Sequence, residues 1–136
     1  MDEFVIEAKV ENLDEVLAFI DERLENAGCS MKVQTQIDIA VEEIFVNIAS
    51  YAYAPGVGNA DIGFMIDGEP SMAVIRFTDK GTPYNPLEKA DPDITLPAEE
   101  RPIGGLGIYM VKKSMDEVEY EYKDGCNVFT IKKKLD

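Results

Sequence analysis

The chain has 136 residues, of which 46% are apolar, 13 are basic and 27 are acidic, and it contains no histidine. That length and apolar content suit one domain with its own core, needing no disulfide or metal staple. The net charge of −14 excludes a phosphate-backbone or anionic-membrane binder, and the missing histidine excludes Ser-His-Asp and Cys-His catalysis, His-ligated zinc and a phosphoacceptor histidine.

Phe4, Ile6 and Ala8 alternate with polar neighbours, the period of a half-buried strand. The opening MDEFVIEAKV is acidic and alternating, unlike a signal peptide. Asn12, with Glu15 three residues on, predicts a capping box. Leu13, Val16, Leu17, Ile20 and Leu24 follow at helical spacing, with Gly28 as the stop. A second helix is expected from about Lys32 to Tyr53, burying Val33, Ile37, Val41, Ile44 and Ile48 and ending at Ala54-Pro55-Gly56. The uncharged run from Val46 to Ala60 holds Asn47, Pro55 and Gly56, and a bilayer span takes ~20 apolar residues, so no membrane segment is expected. Cys29 and Cys126 are too few for a disulfide framework and fit reduced thiols in a cytoplasmic protein.

Ile62, Phe64 and Ile66 predict a strand, Asp67-Gly68 a turn, and Met72 to Asp79 its antiparallel partner. Five prolines then fall between Lys80 and Gly105, with few apolar residues, the mark of a functional loop. Helical spacing resumes at Leu106, Met110, Val111 and Met115. Strands at about 118–122 and 128–133 flank an Asp124-Gly125 turn. The order βααββ-loop-αββ implies a single α+β domain over residues 1–136, a two-layer sandwich with helices on one face of a mixed or antiparallel sheet.

Three patterns carry chemistry. Glu43 and Asn47 are four apart on the second helix, so they differ by only about 40° around its axis, whereas Glu42 lies about 100° away from Glu43. Asn47 has mostly apolar neighbours, and a buried amide there needs a partner. Asp79-Lys80-Gly81-Thr82-Pro83 puts a carboxylate at a strand end, followed by a glycine that lets the backbone approach a ligand. Gly104, Gly105, Leu106, Gly107 and Ile108 open a helix whose free N–H groups favour an anion. Residues 1–100 hold six basic and 21 acidic side chains, and residues 101–136 hold seven and six. An anionic ligand is therefore expected near the C-terminal third, where Arg101 precedes the glycine run and Lys112 and Lys113 follow it.

In this order, the three patterns resemble the Bergerat ATP-binding fold, and within it the bacterial anti-sigma-factor serine kinases. The matching stretches are IDIAVEEIFVNIASYAY, IRFTDKGTPYNP and GGLGIYMVKKSMDEVEYEYKDGCNVFTIKK, and the likeness runs from the first strand to Lys134. The resemblance implies ATP and Mg²⁺ as cofactors. It makes Asn47 the Mg²⁺ ligand, Asp79 the acceptor for the adenine amino group and Gly81 the glycine under the base. Glu43 becomes the general base. Gly104, Gly105, Leu106, Gly107 and Ile108 become the phosphate-binding run, beneath a lid at about 84–103. The resemblance also implies a protein-serine kinase that binds a sigma factor, phosphorylates a small antagonist protein in a partner switch, and can form a homodimer. Many relatives place a histidine four residues after the motif Asn, where this chain has Tyr51. The alternative is a nucleotide-gated module that sequesters a partner without phosphorylating it; Glu43 is needed only by the kinase, Asp79 and the glycines by both.

Overall fold

The computed structural model describes residues 1–88 and 106–135. In chain order the elements are β1 (Asp2–Glu7), a 3-10 turn (Val10–Asn12), α1 (Leu13–Asn26), α2 (Met31–Asn47), a π-turn (Ile48–Ala52), β2 (Asn59–Asp67), β3 (Met72–Asp79), a 3-10 turn (Pro86–Glu88), α3 (Leu106–Ser114), β4 (Glu117–Lys123) and β5 (Cys126–Lys134). The strands form one five-stranded sheet in the order β1-β2-β3-β5-β4. Every pairing is antiparallel, which settles the mixed-or-antiparallel alternative.

Strand alternation puts Ile62, Phe64, Ile75, Phe77, Phe129 and Ile131 on one face of the sheet, all buried. Val16, Ile20 and Leu24 of α1 and the expected stripe of α2 (Val33, Ile37, Val41, Ile44, Ile48) pack onto that face with Val111 and Met115. The opposite face mixes Val5, Met65, Val74 and Val128 with charged side chains and carries surface ion pairs such as Glu3–Arg76 (3.3 Å) and Lys132–Glu119 (3.7 Å). Among the described residues, no helix is long and apolar enough to cross a membrane.

Two local expectations change. Asn12 does not cap α1: its amide donates to the Glu7 carbonyl at 3.0 Å, because a 3-10 turn has already begun at Val10. The side-chain cap lies on α2, where the Ser30 hydroxyl accepts from Val33 N at 3.2 Å. Second, α2 does not run as a regular helix to Tyr53; it widens into a π-turn directly after Asn47, and such turns often mark functional sites.

Between α1 and α2, Asp21 and Asp38 face each other, and each has one buried carboxyl oxygen that no donor reaches. Burial, then the hydrogen bond and charge of Asp21 and the charge of Glu25, push Asp38 up to about 8. The folded chain thus holds this proton to higher pH than the unfolded chain, in which Asp titrates near its ordinary value of 3.8. The stabilisation is full below that value and is lost as pH rises towards 8. Asp38→Asn, which cannot ionise, is expected to raise the melting temperature more at pH 8 than at pH 5. Equal shifts at the two pH values contradict this assignment.

Candidate nucleotide site

One end of the sheet opens into a cavity of about 470 Å³, within the range of small-molecule sites. Its walls are largely apolar, with Ile44, Ile48, Ile108, Phe129 and the rings of Tyr51, Tyr84 and Tyr120, and Asn47, Asp79, Thr82 and Asn127 supply polar groups. Tyr51, in the position where the resemblance leads one to expect histidine, is 66% exposed at the cavity's rim.

Asp79 ends β3 on the core-facing side of the sheet and is only 6% exposed, so the carboxylate is held by donors rather than by water. Its Oδ1 accepts from Gly81 N and from Asn127 Nδ2, both at 2.9 Å. Among the described residues, Oδ2 is left as the remaining acceptor. The chain after Asp79 doubles back onto the π-turn, where Thr82 N donates to the Ala52 carbonyl at 2.8 Å. Gly81 permits that approach: a Cβ at this position would sit 2.2 Å from the same carbonyl oxygen.

On α2, Glu43 is half-buried and Glu42 exposed, as their angular separation requires. Asn47 Nδ2 donates to Glu43 Oε1 at 3.3 Å, so the amide's expected partner is the neighbouring carboxylate. Across from them begins α3. A Cβ on Gly107 would lie 2.1 Å from the Glu43 carboxyl carbon, so the glycine lets the first turn of α3 close onto that carboxylate. Ile108, one residue on, is buried in the cavity wall, and Leu106 is the first residue of α3. Gly104, Gly105, Arg101 and the 89–103 part of the expected lid lie outside the described residues; residues 84–88 of that lid form the cavity edge, with Tyr84 and Pro86 in its lining.

Lys112 and Lys113 occupy the last turn of α3, where they complement its dipole. That is roughly 8–9 Å along the axis from Gly107. Lys113 lies over the Tyr109 ring, 5.5 Å from its centroid.

Two residues that carry the site do not stand out in the motif reading. Asn127 pairs with Asp79 in the β3–β5 register and is 7% exposed. Its Nδ2 also donates to Thr82 O at 3.0 Å, and its Oδ1 accepts from Tyr84 N at 3.1 Å and from the Tyr120 hydroxyl. The available signal was an amide in a core-facing row of β5 that otherwise reads Phe129, Ile131. Tyr53 ties the strand ends: its hydroxyl donates to Asn59 O at 2.6 Å and accepts from Lys80 N at 2.8 Å. Burial, reinforced by the Asp79 charge and opposed by the Lys80 hydrogen bond, raises this phenol above its ordinary range, so it remains a donor.

Residues 6–133 match the family described as the histidine kinase-like ATPase domain. The chain belongs to that family. Its relatives include several that carry the name "Serine-protein kinase RsbW". Those of Bacillus thuringiensis (strain Al Hakam) and Bacillus cereus (strain AH820) are each 31% identical over 137 positions, covering 93% of this chain and 83% of the relative. That of Bacillus thuringiensis subsp. konkukian (strain 97-27) is 30% identical over 135 positions with the same coverage. The match spans every described element of the histidine kinase-like ATPase domain from the end of β1 to β5, so the expected α+β fold is shown as well as the family.

Proposed function

We propose that this histidine kinase-like ATPase domain is an ATP-dependent protein-serine kinase that acts as an anti-sigma factor, phosphorylating a small antagonist protein. The observation that carries this reading is the pairing of a buried carboxylate, Asp79, in the wall of an apolar cavity with a second carboxylate, Glu43, held by Asn47 against the start of α3. The likeness to proteins named serine-protein kinases supports the choice of serine as the acceptor. The sigma factor, the antagonist and the homodimer rest on the resemblance drawn from the motifs, and the cytoplasmic setting on the reading of Cys29 and Cys126 as reduced thiols.

In this reading the adenine amino group donates to Asp79, the base lies over Gly81 between apolar walls, and the triphosphate runs towards the Gly104–Ile108 segment, where backbone N–H groups favour phosphate. The Asn47 amide has committed its nitrogen to Glu43, which leaves its oxygen, a hard ligand, for Mg²⁺. Asn47 would hold the ion together with triphosphate oxygens and water, since Mg²⁺ gives up its waters reluctantly. Mg²⁺, when bound, supplies neutralisation of the phosphate charge. Glu43 takes the proton of the serine hydroxyl as that oxygen bonds to the γ-phosphorus and the bond to the ADP oxygen breaks.

A ligand that binds only the native state stabilises it by about 2.7 kcal/mol at one hundred times its dissociation constant. Millimolar Mg-ATP and Mg-ADP are therefore expected to raise the melting temperature clearly. A melting curve that nucleotide and Mg²⁺ leave unmoved defeats the ATP reading in every form.

A further inference from the structure

The amide of Asn127 is locked in one orientation. Its nitrogen faces acceptors only, Asp79 Oδ1 at 2.9 Å and Thr82 O at 3.0 Å, with Gly81 O at 3.5 Å. Its oxygen accepts from Tyr84 N at 3.1 Å and from the Tyr120 hydroxyl. Turning the amide over would set its oxygen against Asp79 Oδ1 and Thr82 O and its nitrogen against Tyr84 N, leaving buried groups unpaired at full desolvation cost. Asp79 and Asn127 are also the two buried polar side chains among the described residues, and they bond to each other across the β3–β5 pair.

We propose that Asn127 is a positioning residue that sets the base selectivity of this site, by holding Asp79 as an acceptor for a purine carrying an exocyclic amine and against one carrying a carbonyl. With two donors already on Oδ1, the Asp79 carboxylate is fixed in rotation and presents Oδ2 alone. A 6-amino group satisfies that oxygen. A 6-oxo group brings a second acceptor to it in a cavity with apolar walls, where the mismatch has little water to relieve it. Sites built around such a hydrogen bond discriminate far more sharply than apolar pockets do. Without the Asn127 donor the carboxylate can turn or recruit water, and the penalty against the carbonyl shrinks. The inference rests on the nucleotide reading above and adds to it the residue that enforces the choice.

The test is the ratio of dissociation constants for inosine triphosphate and ATP, which differ at purine position 6, measured by calorimetry on the full chain with Mg²⁺. The parent is expected to prefer ATP by ~100-fold or more. Asn127→Asp, nearly isosteric but offering an acceptor, and Asn127→Leu, offering neither donor nor acceptor, are expected to cut that ratio at least tenfold. Tyr120→Phe, which frees one side of the amide oxygen, should lower it by a smaller factor and decides the matter if the other two fail to melt cooperatively. A purely structural role weakens both nucleotides alike and leaves the ratio unmoved; that result overturns the proposal. A parent that binds ATP and inosine triphosphate equally overturns it too, while ATP binding itself stands. A parent that binds neither removes the nucleotide reading and this inference with it.

Discussion

Glu43→Gln is expected to slow phosphoryl transfer by ~100- to 10,000-fold while leaving nucleotide affinity nearly unchanged. The amide keeps the shape of the side chain and can still accept from Asn47 Nδ2, now 3.3 Å from Oε1, but it cannot take the serine proton. Glu42→Gln is the control, because that side chain is exposed on another face of α2. A second arm comes from the opposite wall. In Gly107→Ala the new Cβ would meet the Glu43 carboxylate within 2.1–2.4 Å, and that group is the mobile end of a long side chain. The carboxylate should swing aside and the fold survive, so the rate falls with little loss of melting temperature. Labelled-phosphate transfer at the parent rate in Glu43→Gln removes Glu43 as the base.

Gly81→Ala has the largest expected effect on stability. Here the added Cβ would lie 2.2 Å from the Ala52 carbonyl oxygen and 2.6 Å from its carbon, and neither atom can move without the backbone. Relief means separating the strand-end loop from the π-turn, with loss of the 2.8 Å bond from Thr82 N to Ala52 O. Overpacking of this kind costs about 1–3 kcal/mol. The same movement shifts Gly81 N away from Asp79 Oδ1, so adenine affinity should fall with stability. Urea unfolding gives the stability and calorimetry the affinity; a parent-like midpoint shows that the loop is less tightly seated than these distances require.

Much of the fold is written in local patterns. The apolar stripes of α1 and α2 and the alternation in β2 and β3 are short-range signals, and the turn at Asp124-Gly125 has both residues at positive φ (53° and 77°), as a two-residue hairpin loop requires. The strand order is not local. That β5 inserts between β3 and β4 follows from which apolar faces can be buried together, and periodicity within one strand says nothing about its neighbours. The π-turn is hidden for a similar reason: Ile48–Ala52 keeps apolar helical spacing, and the widening becomes evident only where Ala52 offers its carbonyl to Thr82. In the site, Glu43, Asn47, Asp79 and Gly81 are legible because each sits in a short motif. Asn127 is not, because its partner Asp79 is 48 residues away and only the β3–β5 register joins them.

The proposed activity moves phosphate from ATP to a serine of another protein. Its most direct test is incubation of the purified chain with γ-labelled ATP, Mg²⁺ and a lysate of the cells that make it, followed by identification of the labelled residue. Label is expected on serine of one small protein, dependent on the added chain and lost with Glu43→Gln. Tight ATP binding with no labelled protein would contradict it, and would leave a nucleotide-gated module that sequesters its partner.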